Sequence, residues 1–357
     1  MALKLGAYTA CLHDRPLTDA LDVLQANGLT SVEVNTGGFI PAPHCHVDLL
    51  LSSAQARRDY LGIFAARGME LTGLNCNGNP LNPLPGVGPK HADDLRRTIE
   101  LAGLLGVRNV VTMSGTPGSD PAARYPSWVV NPWDGVYMDV LDYQWDVAAE
   151  FWTGIDALAR AHDVRVAIEM HPHNLVFSPV TLERLVQLTG ATNLGAEMDP
   201  SHLMWQGMDV AACIRRLGPL VFHAAAKDAM ITPGVDVRGV LDTSFERVPA
   251  EDPGKVPTGY GFWCTTWPTE PAWRFVAVGI GHDVAFWTEF LAALADIDPD
   301  MAVNIEHEDA AYSRLDGLAL AADNLRAAAE KLRGRHPAGT GAGRGTATSP
   351  AGQAHGG

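Results

Sequence analysis

Four stretches of the chain bring carboxylates and imidazoles together: "IEMHPHN" (168–174), "EMDPSH" (197–202), "HAAAKD" (223–228) and "NIEHED" (304–309). Each follows or ends a run that reads as a buried β-strand. A buried strand normally gives way to a plain turn, so acids and imidazoles at four successive strand ends need a reason. Side chains two apart on a strand share a face. Glu169 therefore pairs with His171, Glu197 with Asp199, and Glu306 with Glu308.

Carboxylates that converge repel one another unless a cation neutralises them. Three carboxylates and one imidazole suit a hard-to-borderline divalent ion, Mn²⁺ foremost with Mg²⁺ or Co²⁺ as alternatives, better than a thiolate-type zinc site. Taking one group per strand, the expected ligands are Glu169, Asp199, His223 and Glu306. His171 is then left as an acid/base group, since a neutral imidazole beside a cation has a pKa close to working pH. Lys227 is grouped with Glu169, His171 and Glu306 as a catalytic residue, and His173 is assigned to substrate.

The elements that must position these groups alternate along the chain. Strand-like runs are read at 3–10, 31–38, 69–78, 108–115, 165–172, 193–202, 220–228 and 301–309, each followed by a helical pattern. A single helix is expected through 47–68, others at about 90–105 and 142–162, and a last one at 314–334. Eight βα units are the count of an α/β (β/α)₈ TIM barrel, whose active site forms at the C-terminal ends of the strands. "GAYTAC" after the first strand lacks the glycines of a phosphate loop, which disfavours a doubly wound sheet. The reading is one barrel over 1–335 with a long insertion at 229–282, and a disordered tail at 336–357 made of Gly, Ala, Ser, Thr and Pro.

Composition narrows the partners. The chain has 357 residues, a formal net charge of −15 and no long basic run, so a nucleic-acid surface is not expected. No apolar run reaches the ~20 residues of a membrane span, and the N-terminus has no signal-peptide pattern, so a cytoplasmic location is expected. Five scattered cysteines without a CxxC pair read as small buried hydrophobes. Trp128, Trp133, Trp145, Trp205, Trp263, Trp267 and Trp273 gather near strand ends and long loops, and sugar sites stack ring faces on aromatics. Trp205, with His44 and His46 of "PAPHCHVD", is placed among the substrate contacts.

With these residues in hand, the chain resembles the xylose isomerase-like TIM barrels, a superfamily of sugar isomerases, epimerases and inosose dehydratases with endonuclease IV as a DNA-repair relative. The resemblance spans roughly 3–334 and rests on the glutamate closing strand five, "DPSH" (199–202), "HAAAKD" and "NIEHED". "GNPLNP" (78–83), "SGTPG" (114–118) and "WRFVAVGIGHD" (273–283) are similar to proteins labelled sugar phosphate isomerase/epimerase, a subgroup that includes C-glycoside deglycosidase α-subunits. The resemblance implies that Glu169 and Glu306 flank the substrate as ligands that also transfer protons. It implies that His202 touches substrate hydroxyls or the metal. Many relatives carry a second histidine on strand seven where this chain has Ala225, so His202 is the substitute ligand should His223 fail.

The function expected is a metal-dependent lyase or isomerase/epimerase. It would abstract an α-proton from a keto-sugar or 3-oxo-glycoside, and a metal-stabilised enediolate would then lead to C-glycoside cleavage or to isomerisation. A plain sugar isomerase/epimerase or inosose-type dehydratase is the alternative. An endonuclease IV-like enzyme and a non-catalytic sugar binder are more remote. An oligomer is expected, with room for a small second (beta) subunit.

Overall fold

The computed structural model describes residues 3–335; the tail at 336–357 lies outside the described residues. In chain order the strands are β1 (Lys4–Tyr8), β2 (Ser31–Asn35), β3 (Glu70–Asn75), β4 (Asn109–Met113), β5 (Arg165–Glu169), β6 (Leu194–Met198), β7 (Val221–Ala226), β8 (Asp228–Ile231), β9 (Pro257–Gly259), β10 (Phe262–Trp263), β11 (Trp273–Val276) and β12 (Ala302–Ile305). Strands β1 to β7 and β12 close into a barrel in the order β1-β12-β7-β6-β5-β4-β3-β2, every pairing parallel. The expected (β/α)₈ barrel is the observed fold. Strands β2, β4 and β6 are buried at every residue, as a parallel sheet covered on both faces requires.

Helices cover the outside, and their ends are chemically marked. Ser178 and Thr181 form a reciprocal capping box on Pro179–Thr189, while Gly106 and Gly190 end their helices in the left-handed region. The single helix expected over 47–68 is two, Val47–Ser52 and Ala54–Ala65. Ser53 breaks it: its backbone is extended, and its side chain caps the second helix by accepting from Ala56 N. The helix expected at 142–162 starts earlier than read, at Gly135, and runs to Ala161.

The lumen is layered. Val111, Ala167 and Phe222 form a small apolar floor. Above them lies a polar layer of Ser31, Glu33, Thr72, Asn75, His223 and Asn304, all buried. Two register shifts, one opposite Thr72 on β3 and one opposite Phe222 on β7, admit an extra residue in each strand. Gly6 is required here, because a Cβ would lie 1.9 Å from Ser31 O and 2.5 Å from Asn304 Oδ1.

The insertion expected at 229–282 begins and ends as a hairpin, β8 pairing antiparallel with β11. Asp228 anchors it: Oδ2 accepts from the backbone N–H of Gly279, Gly281 and His282, and Oδ1 lies 2.7 Å from His282 Nδ1. Residues between the two strands fold over one side of the barrel mouth and carry the small β9–β10 ribbon. No helix among the described residues is long and apolar enough to cross a membrane.

Candidate active site

Strand ends deliver the polar groups to the mouth. Glu169 closes β5, and Asp199 follows β6 as the N-cap of the short helix Pro200–Trp205, accepting from Ser201 N at 2.8 Å. That helix carries His202. Its Nε2 lies 3.2 Å from Glu169 Oε1 and 3.4 Å from Asp199 Oδ2, without hydrogen-bond geometry to either. The His171 ring sits 4.0 Å from the His202 ring. Glu169, His171 and His202 each offer a ligand atom within 4.8 Å of the others.

Across the mouth, Lys227 Nζ lies 3.2 Å from Glu306 Oε2, 2.9 Å from Glu308 Oε1 and 3.8 Å from Asp199 Oδ2. The ammonium also stands 4.4 Å over the Phe275 ring, contributed by the insertion. Burial lowers the Lys227 pKa, but Glu308, Glu306, Asp199 and Glu169 outweigh it and hold the group charged. A permanently charged Lys227 can stabilise developing negative charge but is not a base.

Electrostatics mark the cluster as over-supplied with carboxylates. Burial first, then Glu169, Glu306 and Asp199, push Glu197 well above the usual range. Glu306 is pushed up by burial and by Glu169 and Asp199 against the pull of Lys227. Asp199 is raised by burial despite His202 and Lys227. The imidazoles go the other way: burial lowers His171 to about 3 and His202 to about 4. His171 Nδ1 donates to Pro172 O at 2.5 Å, which leaves its Nε2 lone pair free.

Buried polar atoms without hydrogen-bond partners among the described residues include Asp199 Oδ2, Glu197 Oε2 and both ring nitrogens of His202. Neutral imidazoles beside crowded carboxylates with open lone pairs fit a divalent cation of mixed oxygen/nitrogen preference.

Two cavities meet at His171. The first, of about 200 Å³, is lined by Tyr8, Asn77, Glu169, Lys227, Glu306 and their neighbours. The second, of about 440 Å³, has walls from Trp128, Trp205, Phe245, Trp267, Trp273 and Phe275, with His173 and His202 on its inner side. Trp205 and Trp273 are stacked at 4.6 Å with planes 6° apart. His173 adopts a left-handed backbone (φ 67°), its ring lies 5.0 Å from Trp128, and its carbonyl accepts from Thr116 Oγ1.

Several expectations are corrected by this placement. His223 is not at the cluster: its Nε2 donates to Glu33 Oε2 at 2.7 Å, deep in the lumen and fully buried. His223 stands near the start of β7, four residues before Lys227, and the imidazole reaching Glu169 is that of His202. His44 and His46 line neither cavity. His44 Nε2 donates to Arg15 O and its ring packs against His13, while His46 is exposed just before a helix. Of the tryptophans, Trp133 is exposed, Trp145 is in the core and Trp263 donates to Val248 O in the insertion.

Asn77, Tyr8 and Phe275 are the site residues that sequence reasoning missed. Asn77 had a usable signal, a polar residue just past the end of a barrel strand. Phe275 had none, since nothing local in the insertion says that it folds back over Lys227.

The Xylose isomerase-like TIM barrel family matches residues 21–333, and the chain belongs to it. It is similar to the uncharacterized protein YfiH of Bacillus subtilis, with 35% identity over 329 residues, covering 91% of this chain and 98% of that protein. Among solved structures it shares its fold with 3-keto-D-glucoside 4-epimerase YcjR from E. coli, with a TM-score of 0.54 and 13% identity over 90% of this chain and 99% of that one. It also matches a xylose isomerase-like TIM barrel protein from Mycobacterium smegmatis in complex with magnesium, with a TM-score of 0.57 and 14% identity over 93% and 98% of the two chains.

Proposed function

We propose that the chain is a divalent-metal-dependent enzyme that removes a proton α to the carbonyl of a keto-sugar or 3-oxo-glycoside. The observation that carries this reading is the cluster of Glu169, His171, His202 and Asp199, whose open ligand atoms converge on one point of the barrel mouth. Glu169, Asp199 and His202 would hold the ion, with Glu306 completing the carboxylate set and Mn²⁺ favoured over Mg²⁺ or Co²⁺. A bound cation would polarise the substrate carbonyl and offset the charge of the enediolate.

The chain's own residues supply the rest. His171, neutral and with Nε2 free, and the two glutamates provide bases on both sides of a sugar seated in the smaller cavity. Lys227, held between Glu306 and Glu308, offers fixed positive charge where an oxyanion would form. The aromatic cavity next to it suits a flat apolar aglycone. That favours the 3-oxo-glycoside branch, with elimination cleaving a C-glycoside bond.

A plain sugar isomerase/epimerase or inosose-type dehydratase shares the first step and is the second reading, supported by the fold shared with a 3-keto-D-glucoside epimerase. A net charge of −15 weighs against an endonuclease IV-like activity.

The test is a metal-replete assay in deuterium oxide against keto-sugars and 3-oxo-glycosides with aromatic aglycones. Deuterium at the α-carbon with turnover supports the reading, and no turnover and no exchange on any member sinks it.

A further inference from the structure

Asn77 is pinned on every side but one. Its backbone N–H donates to Asn75 Oδ1 at 2.9 Å, and its carbonyl accepts from Phe39 N at 2.8 Å. Gly38 lies so close that a Cβ there would sit 2.0 Å from Asn77 O. In turn Asn75 Nδ2 donates to Glu33 Oε1 at 2.8 Å, which ties Asn77 to the polar layer beneath the site. At the mouth, Asn77 Nδ2 donates to Glu169 Oε2 at 2.6 Å. A carboxylate offers only acceptors, so this contact fixes the amide orientation. The remaining atom, Asn77 Oδ1, is buried without a hydrogen-bond partner among the described residues, and the residue itself lines the smaller cavity.

A buried amide oxygen left open is costly, and its cost is recovered when a ligand donor reaches it. No other contact of this side chain competes for it. Of the groups lining the cavity, the glutamates are acceptors, while the donors Tyr8 Oη and Lys227 Nζ are given to Asn35 Oδ1 and to Glu306 and Glu308. The missing partner must bring its own hydrogen.

We propose that Asn77 is a substrate-positioning residue: its Nδ2 clamps Glu169 Oε2, leaving Oε1 toward His202, and its Oδ1 accepts a hydrogen bond from one hydroxyl of the sugar. This rests on the reading that the smaller cavity takes a sugar. One side chain thereby couples the orientation of the glutamate to the orientation of the ligand, and Asn77 selects for a hydroxylated carbon at one fixed position.

The experiment measures binding of D-fructose and methyl 3-oxo-glucoside to Mg²⁺-loaded protein by saturation-transfer NMR, for wild type, Asn77→Leu and Asn77→Ser. Binding at least tenfold weaker in Asn77→Leu, partly restored in Asn77→Ser, with melting temperature retained, is the expected result. One monodeoxy analogue should bind wild type and Asn77→Leu alike, since its missing hydroxyl is the one Oδ1 accepts. If Asn77→Leu does not fold, Asn77→Ser carries the comparison, and every monodeoxy analogue losing affinity in parallel would overturn the proposal. Equal binding of the intact sugars by wild type and variants also overturns it. Wild type binding neither sugar instead removes the sugar reading on which it rests.

Discussion

Glu33 Oε2 and His223 Nε2 meet at 2.7 Å across the lumen, on strands β2 and β7, with both side chains closed to solvent. Burial alone would raise the Glu33 pKa, but the His223 charge and hydrogen bond, with Asn75 and Asn304, bring it below the usual value. Removing one partner of such a pair strands the other, at a cost of about 3–5 kcal/mol. Glu33→Gln and His223→Ala should each show that loss in urea denaturation while divalent-metal stoichiometry is kept. A His223→Ala protein with native stability and no bound metal would return His223 to the ligand set.

Burial, with Glu169, raises the Asp199 pKa above its ordinary value despite the opposing pull of His202 and Lys227. Its folded pKa lies above its unfolded one, so stability falls as pH rises through the folded value. Asp199→Asn should therefore melt higher than wild type at pH 7 in the presence of a chelator, yet bind Mn²⁺ at least tenfold more weakly by titration calorimetry. A variant that melts lower and keeps full affinity contradicts both halves.

His202 gives the opposite pH signature. Its folded pKa of about 4 lies below the ordinary value of 6.5, so the unfolded chain binds more protons between those limits. The stability tied to its neutral form is complete above about pH 6.5 and is lost as pH falls toward 4. In metal-free protein, wild type should lose stability relative to His202→Asn over that window, and parallel pH curves would argue against a neutral buried imidazole.

Glu306→Gln keeps shape and removes a base and a counter-charge to Lys227. Turnover should fall by at least about 10²-fold, the lower end for a general acid/base, with the fold intact by circular dichroism. Wild-type turnover without any solvent deuterium in substrate or product would favour a hydride shift instead.

Much of this was readable in advance because of local rules. The four strand ends carrying Glu169, Asp199, Lys227 and Glu306 announce themselves by type and spacing, and a parallel barrel puts strand ends on one rim. His223 misled because alternation fixes the face and not the depth: it shares a face with Lys227 but stands four residues earlier, near the start of β7. Asn77 had the signal of its place past a strand end, but its partner Glu169 lies 92 positions away, so its contact was not readable locally.

The aromatic wall is the feature most exposed to substrate identity. Trp273→Ala removes one member of the stacked pair with Trp205 and opens the larger cavity. KM for a substrate with an aromatic aglycone should rise about tenfold, the order of one lost stacking partner, while a small keto-sugar is handled as before. Equal effects on both would place the aromatics in folding rather than recognition.

The Asp228 anchor has an evolutionary corollary. The excursion between Ile231 and Trp273 leaves and rejoins the barrel through one hairpin and one carboxylate. Its ends are already brought together, so its length and contents add little to the entropy of closing it. The segment is therefore a cassette. Exchanging everything between the two hairpin strands alters what the mouth admits without renegotiating the barrel, so the lining of the larger cavity can change by swapping covers rather than by rebuilding the hearth of carboxylates beneath.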